Sequence, residues 1–114
     1  MNVISEYLLK QILDAFFPHG YGRSDNSDGD YLNTFYLGWL WIGSSFDMPL
    51  EINLDGEGTC IVFQWYNQFN DEYSCEEIAM FILGRMRDLL PEAEADVNDI
   101  REDSHTLVFT MKQD

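Results

Sequence analysis

Basic residues are scarce in this sequence. Its 114 residues include 6 Lys and Arg against 21 Asp and Glu, which gives a formal charge of −15 at pH 7. So few cations cannot neutralise a nucleic-acid backbone, and direct nucleic-acid binding is therefore disfavoured. The same repulsion excludes an anionic membrane surface as a partner. The charge balance favours a partner that is itself basic.

Long apolar segments and cysteines are also scarce. The longest apolar run, Phe35 to Ile42, is far shorter than the roughly 20 residues that a transmembrane helix needs. Met1 to Phe17 has no basic start and no small-residue cleavage site, so we expect no secretory signal. The only two cysteines, Cys60 and Cys75, fall in different predicted elements, so we expect no disulfide framework. These absences predict a cytoplasmic protein.

Apolar and aromatic residues, by contrast, are abundant. Hydrophobic residues make up 46% of the chain and aromatic residues 15%, which excludes an acidic disordered tail. The acid is spread evenly, because residues 1–57 hold nine acids and two bases while residues 58–114 hold twelve and four. The length suits one folded domain, residues 1–114, with an acidic surface.

Two segments have the periodicity of amphipathic helices. From Val3 to Phe17, apolar residues recur every three or four positions, with polar residues on the other face. From Ser74 to Leu90 a second apolar stripe follows a capping box, in which Ser74 and Glu77 satisfy each other's backbone N–H groups. Pro91 then ends this helix.

The remaining apolar segments are strand-like. They are Tyr31 to Ile42, Pro49 to Leu54 and Thr59 to Tyr66, which predict a three-stranded meander, and Glu92 to Lys112, which predicts a hairpin with its turn near Asp103 and Ser104. The turn Asp55-Gly56-Glu57-Gly58 joins the second strand to the third, because Asp-Gly readily supplies a positive φ. His19 to Asp30 has almost nothing to bury and predicts a solvated loop. The order helix, three strands, helix, two strands predicts an α+β fold whose helices pack on an antiparallel sheet.

The first predicted strand is unusual because both of its faces are apolar. One face carries Phe35, Leu37, Trp39 and Trp41, and the other carries Tyr36, Gly38, Leu40 and Ile42. An antiparallel strand normally has one wet face. Either this strand is covered on both sides or one of its faces is kept for a partner.

The sequence offers weak candidates for catalysis or metal binding. Cys75 at a helix start could be activated as a nucleophile, but only His19 and His105 could serve as its base. These residues and Cys60 lack the paired spacing of a zinc site. The acidic loop Asp25 to Asp30 departs from the EF-hand pattern at its first and last ligand positions, although a looser calcium site stays open. We therefore expect that the protein is not an enzyme and that it holds no cofactor and no resident metal.

Two groups of residues are the best candidates for partner binding. The first group surrounds the start of the second helix and consists of Asp71, Glu72, Glu76 and Glu77 with the aromatic residues Tyr66, Phe69 and Tyr73. Aromatic anchors ringed by charge are typical of protein interfaces. The second group is Asp25, Asp28 and Asp30 in the acidic loop. For Glu76 and Glu77, helix capping and complementarity to the helix dipole are a sufficient alternative.

Three functional hypotheses follow from the charge and the element order. The first is a cytoplasmic inhibitor of a basic-surfaced protein, namely an immunity protein that neutralises a nuclease-type toxin. The second is a phage-type DNA mimic directed at a restriction or CRISPR nuclease. The third rests on a resemblance: the element order and acidic composition are similar to those of the small dimeric chaperones of type III secretion effectors. That resemblance implies that Phe35 to Ile42 belongs to a dimer or effector groove, so monomer and homodimer both stay open.

Overall fold

The computed structural model describes residues 2–24, 30–43, 46–66, 72–101 and 105–113. In chain order, its helices and strands are α1 (Glu6–Phe16), β1 (Tyr21–Ser24), β2 (Phe35–Leu40), β3 (Met48–Leu54), β4 (Cys60–Trp65), α2 (Cys75–Leu89), β5 (Ala95–Arg101) and β6 (Thr106–Met111). All strand pairs are antiparallel. The predicted α+β class with an antiparallel sheet is confirmed.

Strand β1 is the element that sequence reasoning missed. Its four residues pair with β2 from Tyr21 opposite Gly38 to Ser24 opposite Phe35. All four are exposed, so the segment carries no apolar alternation from which a strand could be recognised. The prediction of a loop was therefore wrong for Tyr21–Ser24, and in the described part of the chain four strands, not three, separate the helices.

The six strands lie in the order β1-β2-β3-β4-β6-β5. The predicted meander is β2-β3-β4, and the predicted final hairpin is β5-β6, so both are confirmed. Strand β6 pairs with β4, which places the hairpin beside the meander within one sheet. The turn predicted near Asp103 and Ser104 lies outside the described residues.

Both helices begin at side-chain caps. The hydroxyl of Ser5 accepts a hydrogen bond from Leu8 N at 3.1 Å, so α1 begins at Glu6, three residues later than predicted. At the start of α2 the predicted capping box is present: Glu77 N donates to Ser74 Oγ at 3.1 Å, and Ser74 N donates to Glu77 Oε1 at 3.0 Å. These contacts fix the position of the acidic first turn of α2.

One face of the sheet packs under the helices and forms the core. Every second residue of β3 is buried there, from Met48 to Leu54. The ring of Phe16 in α1 lies 5.0 Å from that of Phe63 in β4, and Phe63 lies 5.7 Å from Phe109 in β6. Because buried and less buried residues alternate along β3, β4 and β6, the opposite face of the sheet is left uncovered.

The turn between β3 and β4 depends on one aspartate. Asp55 accepts hydrogen bonds from Thr59 N at 2.8 Å, Thr59 Oγ1 at 2.9 Å and Cys60 N at 3.0 Å. Partial burial raises the pKa of Asp55, but the hydrogen bonds from Cys60 and Thr59 outweigh it and leave the pKa below its usual value. The positive φ of this turn is at Gly58, not in the Asp55-Gly56 pair where it was expected.

Neither helix in the described residues combines the length and apolar character that spanning a bilayer requires.

Candidate functional site

The uncovered side of β2 exposes three large apolar side chains. Phe35, Leu37 and Trp39 are 47%, 51% and 48% exposed, whereas the alternating residues Tyr36 and Leu40 are buried. Of the two alternatives for this doubly apolar strand, the structure therefore selects the one in which a face is left open. We call Phe35, Leu37 and Trp39, together with the exposed Phe46, the open aromatic face.

Aromatic contacts extend this face past the end of β2. The rings of Trp39 and Phe46 are 4.8 Å apart, and Phe46 lies 5.9 Å from Trp41. Trp41 in turn packs against the imidazole of His19 at 4.1 Å, just after α1. These contacts hold the exposed rings in place, which lowers the entropy that a partner would have to remove on binding.

A glycine on β1 leaves part of the open aromatic face uncovered. Gly22 lies opposite Leu37, so no β1 side chain covers Leu37 from that strand. Two shallow depressions border both residues: one of about 370 Å³, reaching Trp39 and Pro49, and one of about 300 Å³, reaching Phe35. Leu37 therefore stands between two places where a partner's apolar side chains could pack.

A second surface, which we call the α2 groove, lies at the start of α2. It is an open groove of about 540 Å³ lined by Ile42, Tyr73, Glu76, Glu77, Met80 and Phe81. Glu76 and Met80 are one helical turn apart, as are Glu77 and Phe81, so each carboxylate neighbours an apolar side chain on the helix surface. The groove thus has an apolar floor and an acidic rim, and Met80 in it is 55% exposed.

Three carboxylates lie near the tyrosine of the α2 groove. Partial desolvation raises the pKa of Tyr73, and the negative charges of Glu72, Asp47 and Glu77 raise it further. Asp47 is held in place because its Oδ2 accepts hydrogen bonds from Ile42 N at 2.6 Å and from Gly43 N at 3.1 Å. The groove is therefore a site of negative potential that favours a cation.

The structure places Tyr66 away from this groove. Its hydroxyl donates to Glu51 Oε2 at 3.0 Å, and its backbone N–H donates to Pro49 O at 3.0 Å. Partial burial, the hydrogen bond to Glu51 and the charge of that carboxylate all raise the pKa of Tyr66. Because Pro49 is paired with Trp39, Tyr66 adjoins the open aromatic face instead of the α2 groove.

Asp30 also lies apart from the α2 groove. It is exposed, and its Oδ1 accepts a hydrogen bond from Leu32 N at 3.1 Å, before β2 begins. Ile42, which lines the groove, follows the other end of that strand, and six residues of strand span about 20 Å. Four further candidates, Asp25, Asp28, Phe69 and Asp71, lie outside the described residues.

The structure adds nothing in favour of the candidates for catalysis or metal binding. Cys75 is the first residue of α2, and neither it nor Cys60 is part of a disulfide. The two histidines pack against tryptophans, His19 on Trp41 and His105 on Trp65. Within the part of the chain that the structure describes, no three His, Cys, Asp or Glu side chains are grouped to hold a metal ion.

Sequence reasoning missed three residues of the α2 groove. Phe81, one of the apolar residues of the α2 stripe, is only half-buried. Met80 was not a predicted site residue, and Ile42 was predicted only as the end of the segment Phe35 to Ile42, not as a neighbour of α2. Met80 offered a signal, since an apolar residue one turn after Glu76 interrupts the polar side of the helix. Ile42 offered none, because its place in the groove depends on tertiary contacts.

Comparisons with protein-family models, with curated proteins and with solved structures found no match for this chain.

Proposed function

We propose that this chain is a non-catalytic, cytoplasmic inhibitor that binds and blocks a basic-surfaced protein, and that it acts as an immunity protein against a nuclease-type toxin. The observation that carries the proposal is the exposure of Phe35, Leu37 and Trp39 on a domain whose formal charge is −15. Contiguous apolar side chains exposed on a folded domain mark interaction surfaces. A large excess of acid accelerates association with a basic partner.

The acidic charge and the exposed apolar side chains affect different steps of binding. Long-range attraction between opposite charges raises the association rate, and salt screens it over about 8–10 Å at physiological ionic strength. Aromatic and aliphatic anchors buried at the centre of an interface supply most of the affinity and slow dissociation. A nuclease must carry a basic cleft for its substrate, so it is a target that an acidic protein with apolar anchors can cover.

The test is capture followed by inhibition. The full chain is immobilised and exposed at low salt to cytosol of the source cells, and each retained protein is purified and assayed as a nuclease with and without the chain. We expect a retained basic nuclease that the chain inhibits, with an association rate constant that falls at least about tenfold between low and high salt. Retention of no basic protein, or an association rate that salt does not change, would contradict the proposal.

The identity of the target separates immunity from the closest alternative. Inhibition of a toxin nuclease supports the immunity function. Inhibition of a restriction or CRISPR nuclease would instead support the phage DNA mimic.

A secretion chaperone is the second candidate, and the open side of β2 favours it because a dimer or effector groove could use that surface. The extra strand β1 departs from the element order on which the resemblance was based. Gel filtration separates the candidates, since an obligate dimer favours the chaperone and a monomer favours the inhibitor.

A further inference from the structure

We infer that the α2 groove binds a basic amphipathic segment of the partner, in which a Lys or Arg lies beside an apolar residue. This inference rests on the proposed function and assigns a specific contact to it. The apolar floor and acidic rim of the groove are the complement of such a segment, and they distinguish this surface from the open aromatic face.

The floor of the groove can bury the apolar part of the segment. Met80 is 55% exposed, and Ile42 and Phe81 are half-buried beside it. The flexible, polarisable side chain of methionine adapts to partners of different shape. Covering these three side chains removes apolar surface from water, which favours binding.

The rim of the groove can hold the cation. A Lys or Arg side chain lies with its aliphatic part on apolar surface and its charged end at a carboxylate. Glu76 lies one helical turn from Met80, which allows one cationic side chain to contact both residues. Charges near Tyr73, from Glu72, Asp47 and Glu77, add to the negative potential there.

Phe81 already carries such a contact within the chain. The guanidinium carbon of Arg85 lies 4.7 Å from the centre of the Phe81 ring, while Arg85 Nη1 donates to Ala15 O at 3.0 Å. The Phe81 ring therefore already packs against a cation of the chain itself, and we assign the partner's cation to Glu76 and Met80 instead.

The test uses a defined probe and matched charge variants of the full chain. The probe is a 14-residue helical peptide of Leu and Lys with blocked ends, and its counterpart has Glu at every Lys position. Binding is measured by calorimetry, and amide chemical shifts locate it. We expect the Leu/Lys peptide to bind and to shift the amides of Ile42 and of residues 76–81, and the Leu/Glu peptide not to bind.

Glu76→Lys and Asp88→Lys make the same change in net charge on exposed positions of α2. Losing one charged contact weakens binding about tenfold, so we expect that loss for Glu76→Lys and less than about twofold for Asp88→Lys. Met80→Ser keeps the charge and should also weaken binding. Glu77 is left unchanged because it is part of the capping box, and thermal melts verify that each variant folds.

Equal weakening by the two lysine variants, shifts confined to the open aromatic face, or no binding of the Leu/Lys peptide would overturn this inference. Capture of a basic nuclease by the wild-type chain would in those cases leave the proposed function standing. Peptide binding in the groove with no basic protein captured would overturn the proposed function alone.

Discussion

The two sides of strand β2 have similar composition and opposite surroundings. Tyr36 and Leu40 are buried under the helices, whereas Phe35, Leu37 and Trp39 are about half exposed. Burial of apolar surface drives folding, so the covered side holds the domain together, while the open side contributes much less to the free energy of folding. Apolar side chains that add little to folding need another explanation, and binding a partner supplies one.

Truncating a side chain on the covered side of the sheet should have the largest effect on stability. Phe63 is fully buried and contacts Phe16 and Phe109, so Phe63→Ala leaves a cavity and should lower the free energy of unfolding by about 3–5 kcal/mol. Urea unfolding measures the loss. Val62→Ala, on the open side of the same strand, is the matched control and should cost less than about 1 kcal/mol. Similar losses in the two variants would remove the distinction between the sides.

Two glycines, one on each side of the β1-β2 pair, test the same distinction with an added methyl group. A Cβ at Gly38 would lie 2.5 Å from Phe17 Cδ1, so Gly38→Ala forces the buried Phe17 ring to move and should cost about 1–3 kcal/mol. At Gly22 the nearest atom would be Leu37 O at 3.8 Å, an ordinary contact. Gly22→Ala should therefore leave the melting temperature unchanged or raise it slightly. A larger loss for Gly22→Ala than for Gly38→Ala would contradict the assignment of the two faces.

The helices and most strands could be predicted from the sequence because local patterns determine them. The capping box at Ser74 and Glu77 and the alternation in β3 and β4 each carry their own signal. Strand β1 carries none, since all four of its residues are exposed and it forms by pairing with the free edge of β2. The need for a glycine at position 38 could not be predicted from the sequence either, because it depends on where Phe17 packs.

The candidate surfaces could be predicted only where their residues are neighbours in the sequence. Glu76, Glu77 and Tyr73 are neighbours in sequence, and the structure brings them together in one groove. Ile42 joins them only through the packing of the chain that follows β2. Tyr66, close to Tyr73 in sequence, instead contacts Glu51 on the sheet, because strand pairing positions it there.

A small effect on stability and a large effect on binding should come from Leu37→Thr. Leu37 is 51% exposed between two depressions, and threonine suits a strand, so the free energy of unfolding should change by no more than about 0.5 kcal/mol. Binding to the captured basic partner should weaken at least about tenfold, because an apolar anchor at the centre of the open aromatic face is lost. Val108→Thr, the same type of change on the open side of β6, is the control and should leave both quantities nearly unchanged. A loss of several kcal/mol from Leu37→Thr would mean that the open side also supports the fold, and unchanged binding would mean that the partner does not use it.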